Sequence, residues 1–113
     1  MIHIYGIKNC NTMKKAFNWL DENGVPYTFH DYKKEGADVA ALDKALAAHG
    51  WEAVINRRGT TWRKLDDAVK ETMNETEARA QAIKNPSLIK RPLIVANDDI
   101  VLGFDESLFA QLK

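Results

Sequence analysis

Ile2 and Ile4 alternate with His3 and Tyr5 as the two faces of a short strand do, Gly6 breaks the run, and Met13, Ala16, Phe17 and Leu20 then recur at helical spacing. The pattern predicts strand, loop, helix. Glu22-Asn23-Gly24 is a stop signal, with Gly24 suited to the left-handed conformation after a helix. Residues 25–32 alternate partly and are rich in aromatics, which predicts a second strand with Pro26 tolerable only at its beginning. A strand–helix–strand order implies a right-handed crossover and a parallel first pair.

From residue 36 to about 85 the periodicity is helical. Asp38 can cap a segment in which Val39, Leu42, Ala45 and Leu46 share a face, and Gly50 ends it. Trp51, Val54 and Ile55 form a short apolar turn. The polar stretch 56–65 reads as a loop around Gly59, anchored to the core by Trp62 and Leu65. Asn74 and Glu77 have capping-box spacing ahead of Ala78, Ala82 and Ile83, and Asn85-Pro86 closes that helix. The last third returns to strands: 93–96 and 100–102, separated by Asn97-Asp98-Asp99, read as an antiparallel hairpin. Gly103 and Asp105 then introduce a final helix burying Leu108, Phe109 and Leu112. The expected architecture is α/β, with elements in the order βαβ, helices, ββα. At 113 residues it is expected to be one domain, 1–113, with a helical insertion over about 36–85.

Composition narrows the function classes. Lys+Arg and Asp+Glu each number 16, so no global charge steers the chain toward nucleic acid or membrane, and no helix reads as a basic stripe. The start runs from Met1 almost directly into a strand and no apolar run approaches membrane-spanning length, which points to the cytoplasm. The single cysteine cannot form an internal disulfide, in keeping with a reducing compartment. No Cys/His cluster has zinc-like spacing, so no metal is expected. His3, His30 and His49 are scattered along the chain and read as surface or half-buried side chains.

The chemistry therefore centres on Cys10, which falls at or just before the first turn of the first helix. Unpaired backbone N–H groups and the positive end of the helix dipole favour a thiolate there. A free thiol with pKa about 8.5 is only ~3% ionised at neutral pH, and lowering it to about 6.5 requires roughly 2.7 kcal/mol of preference for the charged form. A helix N-terminus supplies about 0.3–1 kcal/mol, up to about 2 when partly buried. Lys14, one turn on, and Lys8 can add positive charge. A lone cysteine can equally be an inert core residue, but the polar neighbours Lys8, Asn9, Asn11 and Thr12 favour reactivity. Arg57 and Arg58 in the middle loop and Arg91 before Pro92 are candidates for the fixed cations that a thiolate attacking an oxyanion or a glutathione disulfide needs; arginines flanking loops and strands are more often ordinary solvated charges, less so for Arg91 because it opens a strand before a proline. A proline opening a strand can be cis, bringing its preceding residue close to a neighbouring loop. The position three after Cys10 is Met13, so there is no C-x-x-C pair, and an external thiol such as glutathione must release any adduct of the sulfur.

Four stretches carry a resemblance to a known family: Y-G-I-K-N-C-N-T-M-K-K (5–15), N-R-R-G-T-T-W-R-K-L (56–65), N-P-S-L-I-K-R-P-L-I-V (85–95) and L-G-F-D-E-S (102–107). Together they resemble the ArsC/Spx family, and within it the small ArsC-like proteins of the YffB type. The resemblance spans almost the whole chain. It implies a thioredoxin-like fold with a helical insertion between its halves, a cis peptide at Pro92 and a nucleophilic Cys10. It further implies substrate binding by Arg91 and by Arg58, the best match in the middle loop with Arg57 close behind; Asn11, Thr12 and Lys14 are expected to bind substrate with them. Where the family's third arginine is expected stands Phe104, followed by Asp105. The implied function is a glutathione-dependent thiol reductase with no bound cofactor, glutathione as co-substrate, glutaredoxin as a further partner, and a monomeric state. Two other readings stand beside it: a true arsenate reductase, and an Spx-like regulator binding the RNA polymerase α subunit.

Overall fold

The computed structural model describes residues 2–113. Its packing divides the chain into two units. One comprises the stretch up to Glu35 together with Arg91–Lys113; the other is Gly36–Lys90.

The first unit holds a four-stranded sheet of order β2-β1-β3-β4, formed by β1 (Ile2–Gly6), β2 (Tyr27–Asp31), β3 (Leu93–Ala96) and β4 (Asp99–Leu102). β1 pairs with β2 in parallel, from Ile2 opposite Tyr27 to Gly6 opposite Asp31. It pairs with β3 antiparallel, Ile2 opposite Ala96 and Tyr5 opposite Leu93. β3 and β4 form the hairpin. Its turn is Asn97-Asp98, with Asn97 at φ 57°, and Asp99 pairs with Ala96 instead of lying in the turn as the pattern suggested. The second strand begins at Tyr27, after Pro26, and ends at Asp31. Tyr32 starts a short helix, α2 (Tyr32–Glu35), that periodicity did not reveal because four residues carry too little of it.

Ile4, Ile94, Ala96 and Val101 turn one sheet face toward α1 (Asn11–Glu22), which presents Met13, Ala16 and Leu20; Val25 and Phe109 complete this core. Burying side chains of this kind is worth roughly 1.5–3 kcal/mol each for the larger ones. On the other face of the sheet His3 and His30, distant in sequence, are paired: His3 Nδ1 lies 2.9 Å from His30 Nε2, Glu35 Oε1 is 3.5 Å from His30 Nδ1, and Tyr5 stacks on His30 at 4.5 Å.

The second unit, Gly36–Lys90, is helical: α3 (Val39–His49), α4 (Trp51–Val54), α5 (Thr60–Arg63), α6 (Asp67–Glu71) and α7 (Glu75–Lys84). Asp38 caps α3 by accepting from Ala41 N–H, and Asn74 caps α7 by accepting from Glu77 N–H. Leu42, Ala45 and Leu46 are buried as their spacing predicts, but Ala41 takes the fourth place and Val39 is exposed. On α7 Ala78 and Ala82 are buried and Ile83 is exposed, because the small alanines form the close-packed face. Part of the expected loop 56–65 is helical, as α5, with Trp62 half-buried and stacked on Trp51 at 6.5 Å. The unit extends past Asn85 to Lys90, since Ile89 bridges Ile55 and Lys90 N–H donates to Val54 C=O at 2.8 Å.

The last helix, α8 (Glu106–Ala110), belongs to the first unit. Asp105 caps it, accepting from Ser107 and Leu108 N–H groups. It buries Phe109 alone. Leu108 is exposed and Leu112, half-buried, lies beyond the helix end, because a helix this short offers one face for barely one turn. The βαβ–ββα order and this sheet make the fold thioredoxin-like, with a helical segment inserted between β2 and β3. Among the described residues no helix is long and apolar enough to cross a membrane.

Candidate active site around Cys10

Cys10 is the N-cap of α1. Its backbone is extended (φ −146°, ψ 128°), its C=O accepts the first helical bond from Lys14 N–H at 3.0 Å, and its own N–H donates to Lys8 C=O at 3.1 Å. The loop after β1 thus ends on the sulfur, and the side chain is half-buried. At an N-cap the following N–H groups have no intrahelical partner. The Cys10 side chain closes no cap hydrogen bond, in keeping with sulfur as a weak acceptor.

The charged form fares differently. Burial is the largest single influence on Cys10 and pushes its pKa up. The N–H groups of Met13 and Thr12, followed by the charge and the hydrogen bond of the Arg91 guanidinium, together outweigh it, so the thiol is held below the ordinary range. β3 carries Arg91 to the sulfur: Leu93 lies opposite Tyr5, so the residues just before β3 run alongside the end of β1 and the loop beyond it. The Arg91–Pro92 peptide is cis, Pro92 is fully buried, and its C=O accepts from Gly103 N–H at 2.9 Å.

Cys10, Asn11, Thr12, Lys14, Arg91 and Pro92 therefore belong to the first unit, and Arg58 to the second. Thr12 acts on the sulfur through its backbone; Asn11 turns to solvent. Lys14, expected to act on the sulfur, is exposed, and the cation beside the thiolate is Arg91. The geometric reason is that a lysine side chain one turn along a helix surface follows that surface outward. Arg91, just before β3, reaches the sulfur from the segment that runs beside the end of β1. Arg58 is exposed, its N–H donating to Asn56 Oδ1 at 3.2 Å, and it lines a cavity of about 410 Å³ with Glu52, Asn56, Arg57 and Lys90. The Arg57 guanidinium lies 5.6 Å from the Trp51 ring centre. Phe104 packs edge-on against Phe109 at 4.9 Å.

Met13 stands where a C-x-x-C pair would have its second thiol, yet it is its backbone N–H that matters to the sulfur. That role was accessible from position alone, since the third residue after an N-cap supplies a free donor whatever its side chain. Among the described residues no group of three or more His, Cys, Asp or Glu side chains is placed to hold a metal. What the arrangement offers is a part-exposed sulfur biased toward its nucleophilic form, with a guanidinium beside it and no second cysteine in the chain.

A model of the ArsC family matches residues 5–112. A solved structure of a YFFB protein is 46% identical, with a TM-score of 0.95 over 99% of this chain and 98% of its own. The solution structure of an arsenate reductase (ArsC) related protein from Brucella melitensis is 44% identical, with a TM-score of 0.77 over 97% of this chain and 92% of that one. A global transcriptional regulator Spx from Streptococcus mutans is 31% identical over 94% of this chain and 78% of its length.

Proposed function

The chain belongs to the ArsC family, and from that premise we propose that it is a glutathione-dependent thiol reductase with Cys10 as its nucleophile. The observation that carries this reading is the convergence of the Met13 and Thr12 N–H groups and the Arg91 guanidinium on the only sulfhydryl of the chain. The Cys10 thiolate attacks one sulfur of a glutathione mixed disulfide, forming a Cys10–glutathione disulfide while the substrate thiolate leaves with the electron pair of the broken S–S bond. A second glutathione thiolate then attacks the glutathione sulfur of that adduct, giving oxidised glutathione and returning Cys10 as thiolate. The second thiol must come from outside, because Met13 stands where a resolving cysteine would. Glutaredoxin can take the place of glutathione in this release.

Reduction of arsenate fits the residues less well, since Phe104 provides an aromatic ring at the position where the resemblance implies an arginine. The 31% identity to a global transcriptional regulator supports a second reading, that of an Spx-like regulator binding the RNA polymerase α subunit.

Mass spectrometry after exposure to oxidised glutathione tests the enzyme reading. One glutathionyl group on Cys10, removed by reduced glutathione, together with turnover that Cys10→Ser abolishes, is the expected result. Capture of the polymerase α subunit with no turnover would favour the regulator.

A further inference from the structure

Gly6 ends β1, four residues before the sulfur, and its backbone is not in the left-handed region that requires glycine. Space is what requires it. A Cβ at position 6 would lie 2.5 Å from Met13 Sδ, 2.7 Å from Met13 Cε and 3.5 Å from Met13 Cγ. The thioether end of a methionine is normally free to swing aside, but Met13 is fully buried in the core with Ile4, Ala16 and Ile94. It has no way to yield without opening that core or shifting its own backbone. That backbone is the first turn of α1, whose N-cap is Cys10, and the residue-13 N–H is one of the donors there without an intrahelical partner and acts on Cys10 Sγ.

We infer that Gly6 is a positioning residue for the Cys10 thiolate: by leaving room for the Met13 side chain, it seats the first turn of α1 so that the residue-13 N–H is aimed at the sulfur. The inference rests on the reading of Cys10 as the nucleophile, but it concerns a residue of β1, outside the helix whose N-cap is Cys10. In this chain one methionine joins the core of the sheet to the electrostatics of the site. Its side chain reports the packing at the end of β1, and its main chain delivers the result to Cys10.

The test is a pH titration of the thiolate by its ultraviolet absorbance, paralleled by the alkylation rate with iodoacetamide. Cys10 is the only thiol that can contribute a thiolate signal, since the chain has no other cysteine. In Gly6→Ala the midpoint is expected to rise by about half a unit or more, with alkylation at neutral pH slowed about threefold. Adding Met13→Ala to that variant removes Sδ, Cε and Cγ and keeps the N–H, so Gly6→Ala/Met13→Ala should titrate as Met13→Ala alone does. A folded Gly6→Ala protein that titrates like the parent overturns the inference. So does a double variant with a midpoint above that of Met13→Ala, a comparison that decides the matter even where Gly6→Ala alone does not fold. A parent midpoint at the ordinary thiol value would instead overturn the nucleophile reading from which this one proceeds.

Discussion

The Arg91 guanidinium hydrogen-bonds Cys10 Sγ, tying the residue that precedes β3 to the N-cap of α1. The pairing depends on the antiparallel register of β1 and β3, which sets the start of one strand beside the end of the other. A local helix dipole acts on the sulfur wherever α1 forms, whereas this guanidinium acts only when the sheet is assembled.

Arg91→Ala should therefore raise the titration midpoint of Cys10 and slow its alkylation at neutral pH, because both the charge and the hydrogen bond that lower it are removed. Binding of an anionic substrate should weaken by about 1.5–3 kcal/mol, the range for hydrogen bonds to charged groups. Arg91→Lys should keep part of the first effect and little of the second, since an ammonium lacks the planar fork. An unchanged alkylation profile in Arg91→Ala would show that the helix N-terminus alone holds the thiolate.

The lowered pKa of Cys10 also makes stability depend on pH in a stated direction. Between the folded pKa and the ordinary value near about 8.5, the unfolded chain binds a proton that the native chain does not, so stability rises with pH through that window. The contribution is fully present above the unfolded value and is lost as pH falls through the folded one. The difference in unfolding free energy between the parent and Cys10→Ser should accordingly grow as pH rises from the lowered folded value toward about 8.5 and then level off. A difference independent of pH would contradict a folded-state thiolate.

Cys10→Ser itself should leave the fold intact, with a stability change within about 1 kcal/mol at acidic pH, because the side chain is half-buried at a loop–helix junction and the exchange is small. Circular dichroism and thermal melting check this. Global unfolding would mean that the sulfur serves the core.

Phe104→Arg should cost about 1–3 kcal/mol, since the ring it replaces packs edge-on against the fully buried Phe109. Any gain in arsenate reduction should be small: the side chain at 104 is engaged with the core of the first unit, and Asp105 beside it is committed to capping α8. Coupled arsenate turnover and melting curves measure the two effects together. A large gain would show that one missing arginine is all that separates this chain from arsenate chemistry.

Much of this was open to reading from the residues alone. The N-cap placement of Cys10, the caps Asp38, Asn74 and Asp105, and the β1–α1 and β3–β4 periodicities are properties of neighbouring residues, so short-range hydrogen bonding and alternation determine them. The lone cysteine likewise dictates an external resolving thiol for any adduct it forms. Side-chain exposure was less legible. Val39, Ile83 and Leu108 have the right spacing to be buried, yet a helix face extends only as far as the neighbour that covers it. What only the tertiary structure decided is which cation meets the sulfur and why Gly6 is glycine. Lys14 is closer to Cys10 along the chain, but strand pairing brings Arg91, and the space that Met13 needs at the end of β1 exists only once helix and sheet are packed together. Local chemistry specifies where a charge is favoured; long-range packing selects the groups that supply it.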